Sequence, residues 1–198
     1  MDNRINRFTI IGGGSAGWMA AGLLAATLNR RGDGPDVEIT LIESPNIPII
    51  GVGEATTLST YESFAQMHLD EFDFLKHCDA TFKSAVRFKG WDKFSDGTKS
   101  DYYHPFGVPP YLWGLAPAIH YHRRVKQGIV QPSFAHCMSR LPAMMDANRA
   151  PRNFEANYFE GIGKYSYHLD ATLLGDYLKQ FCTTLGVTHI SDDVVDVT

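Results

Sequence analysis

An α/β fold that opens on a Rossmann-like βαβ unit is predicted by three features of the sequence. Phe8 to Ile11 is a short, β-branched, apolar run; the glycines of Gly12-Gly-Gly14-Ser-Ala-Gly17 end it; and Trp18, Leu23, Leu24, Thr27 and Leu28 then recur at helical spacing. Val37 to Glu43 is a second alternating, β-branched run, and a right-handed crossover makes the two strands parallel. The 198 residues are 44% hydrophobic and 20% charged, too apolar for a disordered chain and long enough to bury a sizeable core.

The elements follow in order. The first helix spans Ser15 to about Arg30, closed by Arg30-Arg31 where the helix dipole favours cations, and residues 32–36 are a loop. Phe8 to Leu28 carries no formal charge and follows Arg4 and Arg7, as a signal peptide or membrane span does. Gly12, Gly13, Gly14, Gly17 and Gly22 fall inside it, so a strand, turn and helix of a soluble, cytoplasmic protein is expected, without membrane attachment. Ser44 to Pro48 is a loop that leads into the apolar, glycine-bearing stretch Ile49 to Gly53. Two helices follow, Thr56 to Leu69 and Asp70 to Asp79, with Asp70 as N-cap. Thr81 to Trp91 reads as one period-two strand, with Phe82, Val86 and Phe88 on one face and Lys83, Arg87 and Lys89 on the other. Asp92 to Pro117 is aromatic and rich in Pro and Gly, which predicts loops and short strands around a pocket. His120 to Gln127 and Ser133 to Asn148 are expected helices. Asp170 caps a further helix, Ala171 to Leu185, which Gly186 stops, and Val187–Ile190 and Val194–Val197 are the last strands. No linker separates two independent domains.

Composition excludes several functions. Eighteen Lys and Arg against 22 Asp and Glu give a net charge of -4, which supplies no field to hold nucleic acid. The three cysteines, Cys78, Cys137 and Cys182, form no CxxC and read as free thiols. His120 and His122 suit a metal only on a strand and lack a flanking acidic or Cys ligand, so no metal site is expected.

The glycine motif carries the chemistry. Gly12 permits a tight turn, Gly14 lets the backbone approach a pyrophosphate, and Gly17 lets helix and strand pack closely. Ser15 and Ala16 open the helix whose N-terminal N–H groups attract an anion. Glu43, ending the second strand, is placed to accept hydrogen bonds from a ribose. A dinucleotide site follows. The unit's place at the start of the chain, and the later helix–Gly–strand segment running to Val194 and beyond, favour FAD over NAD. A second glycine stretch, Gly51-Val-Gly53-Glu54-Ala55-Thr56, either lets backbone pass against a flat ring, with Thr56 capping the next helix, or is a loop with Glu54 solvated.

Taken together, Gly12 to Trp18, Gly51 to Thr56, and Thr81-Phe-Lys83 leading to Phe88 and Trp91 resemble the N-terminal part of the flavin-dependent tryptophan halogenases. Tyr103-His104-Pro-Phe106-Gly107, Asp146 to Pro151 and Tyr167 to Ala171 agree, so the resemblance spans nearly the whole chain. It implies a Rossmann-like FAD-binding core interwoven with a substrate-binding part, with residues 1–80 and 166–198 on the flavin side and 81–165 on the substrate side of one domain. FADH2, O2 and a halide make hypohalous acid in this family, and a lysine passes the halogen to an aromatic substrate of indole or phenol type. By motif match the lysine is Lys83, the substrate ring lies against His104 and Phe106, and FAD meets Gly12, Gly14, Ser15, Ala16, Gly17, Glu43, Gly53, Glu54, Ala55 and Val194. A separate flavin reductase supplying FADH2 and a homodimer are the expected partners. The family carries a proline soon after its Gly-Glu-Ala-Thr; here Thr57-Leu58-Ser59 follows. Its later motifs would lie beyond Thr198, so the chain is expected to be incomplete at its C-terminus and inactive in isolation. The competing readings are a flavin monooxygenase that hydroxylates an aromatic substrate and a non-catalytic FAD- or NAD-binding module.

Overall fold

In this computed structural model the described residues are 5–29, 37–107, 111, 113–129, 132–153 and 155–197. In chain order the elements are β1 (Arg7–Ile11), α1 (Ser15–Leu28), β2 (Glu38–Glu43), β3 (Gly53–Ala55), α2 (Leu58–Met67), α3 (Glu71–His77), β4 (Thr81–Lys83) and β5 (Ala85–Lys93). They continue with β6 (Lys99–Pro105), α4 (Pro117–Lys126), α5 (Phe134–Met138), α6 (Leu141–Asp146), β7 (Ser166–Asp170), α7 (Ala171–Thr184) and β8 (Thr188–Ser191). The chain divides into two compact units, residues 1–81 with 167–198 and residues 82–166.

The first unit is built on the parallel sheet β1-β2-β8. The β-branched run of β2 lies in the middle, and its Ile39 and Leu41 are buried. α1 packs on β2 and α7, burying Trp18, Ala21 and Ala25, and Cys182 of α7 donates to the Trp18 carbonyl at 3.3 Å. Fully burying side chains of the Leu or Ile class is worth about 1.5–3 kcal/mol each. Asn29 ends α1 by exchanging two hydrogen bonds with Val37, 3.0 and 2.8 Å long, which ties the helix end to the start of β2. The expected basic end at Arg30-Arg31 and the loop 32–36 lie outside the described residues.

A second small sheet has the order β3-β7-β4. Gly53 to Ala55, for which a loop is one of the two readings of the sequence, pairs antiparallel with His168 to Asp170 of β7. Phe64 of α2 and Phe74 of α3 meet edge-on at 4.9 Å, and Phe74 meets Tyr167 at 5.0 Å. Tyr167 donates from its buried hydroxyl to Glu71 at 2.8 Å. Asp70 and Asp170 cap α3 and α7, each accepting from the two N–H groups that need a partner.

Four sequence expectations are corrected. The single strand over Thr81–Trp91 is two strands, β4 and β5, broken at buried Ser84, so Lys83 does not share a strand with Arg87 and Lys89. Phe82 turns to Tyr165 in an edge contact at 5.2 Å while Phe88 stacks on Tyr102 at 5.1 Å. Asp92 to Pro105 completes a hairpin whose register shifts between Lys89 and Lys93: β5 runs on to Lys93, and Gly97 at φ +84° with Asp96 bonding Thr98 makes the turn into β6. Ser133–Asn148 is two helices, because Pro142 is tolerated only in a first helical turn and restarts the chain there. Val194–Val197 forms no strand; pairing ends at Asp192, and Asp192 and Asp196 bond the N–H groups that follow them.

Cys78 and Cys182 are buried free thiols. Burial pushes both up to about 12, aided at Cys78 by the charges of Asp170, Asp73 and Asp79. Both therefore stay neutral at ordinary pH. Iodoacetamide near pH 8 is expected to label the half-exposed Cys137 in the folded protein, and Cys78 and Cys182 only after unfolding, as read by peptide mass spectrometry.

Candidate functional site

Parallel α/β sheets leave room for ligands at the carboxyl ends of their strands. In the first unit a cleft of about 500 Å³ opens there, lined by Ile11 to Gly14, Ile42, Glu43, Ser44 and Ile47 to Ile50 of the loop 44–50, and Asp192 to Val194. The turn out of β1 depends on Gly12 at φ +114°, whose N–H continues the ladder to the Ile42 carbonyl at 2.8 Å. A Cβ at position 17 would stand 1.9 Å from the Gly12 carbonyl oxygen, so only glycine lets α1 pass this close to the turn. Position 14 is different. Gly14 is the N-cap of α1, no side chain caps that helix, and a Cβ there meets nothing within 4 Å. The open space therefore lies beside the N–H groups of the first helical turn. It fits an anionic pyrophosphate, and the apolar walls at Ile11, Ile42 and Val194 fit the uncharged parts of a dinucleotide.

Glu43 stands at the cleft with its carboxylate folded over Gly13, where a Cβ would come 1.5 Å from Oε2. Lys179 of α7 donates to Oε1 at 2.8 Å. His189 of β8 brings Nε2 to 2.8 Å from the same oxygen, but off the line of an N–H bond, so that buried nitrogen has a close ionic contact and no aligned hydrogen bond. Across the cleft, Ser44 and Asn46 bond the two carboxylate oxygens of Asp193, Asn46 at 2.8 Å, and together hold this carboxyl below the usual range. The loop after β2 and the segment after β8 are thereby joined into one wall. No sequence motif marks Lys179, His189 or Asp193; the one cue to Lys179 is its place in the later helix–Gly–strand segment that favours FAD.

The other cofactor-side positions are not all gathered here. Gly12, Gly14, Glu43 and Val194 line the cleft, whereas Ser15, Ala16 and Gly17 lie within α1 and do not. Gly53, Glu54 and Ala55 are exposed on β3, away from the cleft lining. Thr56 does not cap α2: its hydroxyl and N–H bond the Tyr167 carbonyl at 3.0 and 2.9 Å, and α2 begins after Thr57.

In the second unit the β5–β6 hairpin sets the other candidates. Val86 faces His104 and Ala85 faces Pro105, and just beyond the pairing Phe106 donates its N–H to the Ser84 carbonyl at 3.0 Å. That bond draws Phe106 to the chain beside Lys83, whose Nζ stands 5.5 Å from the centre of the Phe106 ring. The opposite face of the hairpin is polar. Arg87 forks onto Asp101 at 2.7 and 2.8 Å and bonds the Tyr103 hydroxyl at 3.1 Å. Tyr103 donates to Asp146 of α6, which also takes His136 of α5 at 2.9 Å. The guanidinium of Arg87 holds the Asp101 carboxyl below the usual range, and Tyr103 and then His136 do the same for Asp146. His120 and His122 lie on α4, where positions two apart face different sides. Among the described residues no three His, Cys, Asp or Glu side chains gather as metal ligands, and no helix is long and apolar enough to cross a membrane.

Comparison with known proteins matches the chain to one family. The tryptophan halogenase family matches residues 7–198. The chain is 33% identical to the tryptophan 7-halogenase RebH of Lentzea aerocolonigenes, covering 100% of this chain and 38% of that one. It is 31% identical to the tryptophan 6-halogenase ThaL of Streptomyces albogriseolus, with the same coverage. Among solved structures, a tryptophan halogenase from Shewanella frigidimarina aligns with a TM-score of 0.86 at 36% identity, over 100% of this chain and 38% of that one. Tar14, a tryptophan C-6 flavin-dependent chlorinase of taromycin biosynthesis, aligns at 0.81 and 34%, over 98% and 37%. The chain spans about 38% of the length of the curated relatives it matches.

The two glycines should separate fold from ligand. Gly14→Val is expected to melt near wild type yet bind no dinucleotide in calorimetric titration, whereas Gly17→Val should lower the melting temperature outright, since its side chain meets backbone. The carboxyls of the hairpin predict an acid response. Their folded values are depressed, so their contribution is present above the unfolded carboxyl pKa and lost as pH falls through the folded values. Near-ultraviolet circular dichroism of the aromatic hairpin should fade below about pH 4, and Asp101→Asn with Asp146→Asn should flatten that change.

Proposed function

The chain belongs to the tryptophan halogenase family, and on that premise we propose that this protein halogenates an aromatic substrate of indole or phenol type with the help of FAD. The observation that carries the reading is Lys83, a cation held 5.5 Å from the ring centre of Phe106, with His104 two residues before Phe106 on β6. A flat, electron-rich ring stacked on Phe106 and His104 would lie within reach of the Lys83 side chain.

The cleft residues have separable tasks. Gly12 to Gly14 and the start of α1, with Ser15 and Ala16, hold the pyrophosphate; Glu43 takes the ribose; Val194 supplies an apolar wall; Gly53, Glu54 and Ala55 belong to the flavin side of the first unit. The chemistry that bound FADH2 supplies, with O2 and a halide, is the formation of hypohalous acid. We assign its reduction to a separate flavin reductase. Lys83 then acts on the oxidant: its ammonium donates a hydrogen bond to the hypohalous oxygen and draws electron density out of the O–X bond. The ring carbon takes the halogen, the hydroxide leaves as water with the ring proton, and the lysine emerges unchanged. Phe106 and His104 hold the ring so that one carbon faces the halogen.

The test is a product assay of the full-length protein with FADH2, O2, bromide and an indole. Lys83→Ala is expected to keep FAD binding and flavin reoxidation and to lose halogenated product by at least about 100-fold, the scale of a lost transition-state donor. Lys89→Ala is the control. Arg87→Ala is not, because Arg87 ties Asp101 and Tyr103 together. Halogenation by Lys83→Ala at the wild-type rate removes the lysine from the mechanism. Hydroxylated product without halogenated product from the wild type makes the protein a monooxygenase instead.

A further inference from the structure

We propose that Lys179 and His189 are positioning residues for the nucleotide ribose: they hold one oxygen of Glu43 so that the other faces the ribose hydroxyls. The proposal rests on reading the cleft as a FAD site and assigns work to two residues outside the glycine motif.

The geometry is that of a carboxylate clamped at one side. Glu43 ends β2, and its backbone carbonyl accepts from Asp192 N–H at 3.0 Å, which fixes where the side chain starts. Lys179 and His189 arrive at Oε1 from α7 and β8, each at 2.8 Å. His189 is itself placed, opposite Leu41 in the strand register and with its ring 5.4 Å from that of Trp18. Oε2 accepts no hydrogen bond among the described residues and lies over Gly13 in the cleft lining. The one oxygen left with its acceptor capacity thus points where a ligand would lie.

Two physical effects follow. A carboxylate already held in one rotamer loses little conformational freedom when a ribose binds, so more of its hydrogen bond appears as affinity. The second effect is electrostatic. Glu43 and a bound pyrophosphate are like charges in one cleft, and the Lys179 ammonium offsets their repulsion.

The experiment is calorimetric titration of the protein with FAD, with ADP, and with 2′,3′-dideoxy-ADP, which keeps the pyrophosphate and lacks the hydroxyls. Lys179→Met is expected to weaken FAD about 10-fold, the scale of one charge-assisted hydrogen bond, and to erase most of the preference for ADP over the dideoxy compound. Lys179→Arg should restore both, which separates positioning from damage to α7, and His189→Phe should shift the preference in the same direction as Lys179→Met. In a Glu43→Gln background, Lys179→Met should leave the ribose preference unchanged. The proposal is overturned if Lys179→Met keeps the ribose preference, or if it weakens both nucleotides equally, or if its effect on the ribose preference persists without Glu43. A wild type that binds FAD with Glu43-dependent affinity but ignores Lys179 overturns this proposal and leaves the flavin site standing. A wild type that binds neither FAD nor ADP removes both.

Discussion

Strand β2 is the constraint on which the first unit depends. Its β-branched run is the middle strand of the parallel sheet, with β1 on one side and β8 on the other. The glycine turn is anchored to it through Gly12 and the Ile42 carbonyl, and the segment after β8 through Asp192 and the Glu43 carbonyl. Residues separated by most of the chain are thus brought to the same strand end. The cleft, the carboxylate of Glu43 and the nitrogens of Lys179 and His189 meet there because β2 holds all of them in register. An insertion in β2 would change every one of these relations, whereas the same change in the loop 44–50 would alter only one wall.

The second unit depends on a different kind of constraint. Its hairpin has little buried apolar surface, since Val86, Trp91 and Tyr102 are exposed. A chain of polar contacts stiffens it from one face: Asp101, Arg87, Tyr103, Asp146 and His136, with Ser133 at the end bonding the His136 ring at 2.7 Å. That chain joins β5, β6, α5 and α6 and leaves the opposite face to Phe88, Tyr102 and His104. Exposed charged pairs contribute little individually, but a connected set fixes geometry, and geometry is what a residue such as His104 needs from the strand that carries it.

Much of this protein was legible before any tertiary structure. The first strand, the glycine turn, the helix and the second strand follow from local rules, because glycine runs, β-branching and a 3.6-residue period each act over a few neighbouring residues. The caps Asp70 and Asp170 follow in the same way, since a carboxylate at that position serves N–H groups two and three residues on. Family membership was equally accessible, being a matter of motif order. Tertiary structure alone decided what depends on partners distant in sequence. The break at Ser84 separates Lys83 from Arg87 although alternation continues through it, because β4 joins the β3-β7-β4 sheet whereas β5 pairs with β6. Gly53 to Ala55 became a strand because β7 lies beside it, and Val194 to Val197 did not because no strand among the described residues pairs there. The pairing of Glu43 with Lys179 and His189, more than a hundred residues away in the chain, follows from no period and no motif; it exists because α7 and β8 fold back onto β2.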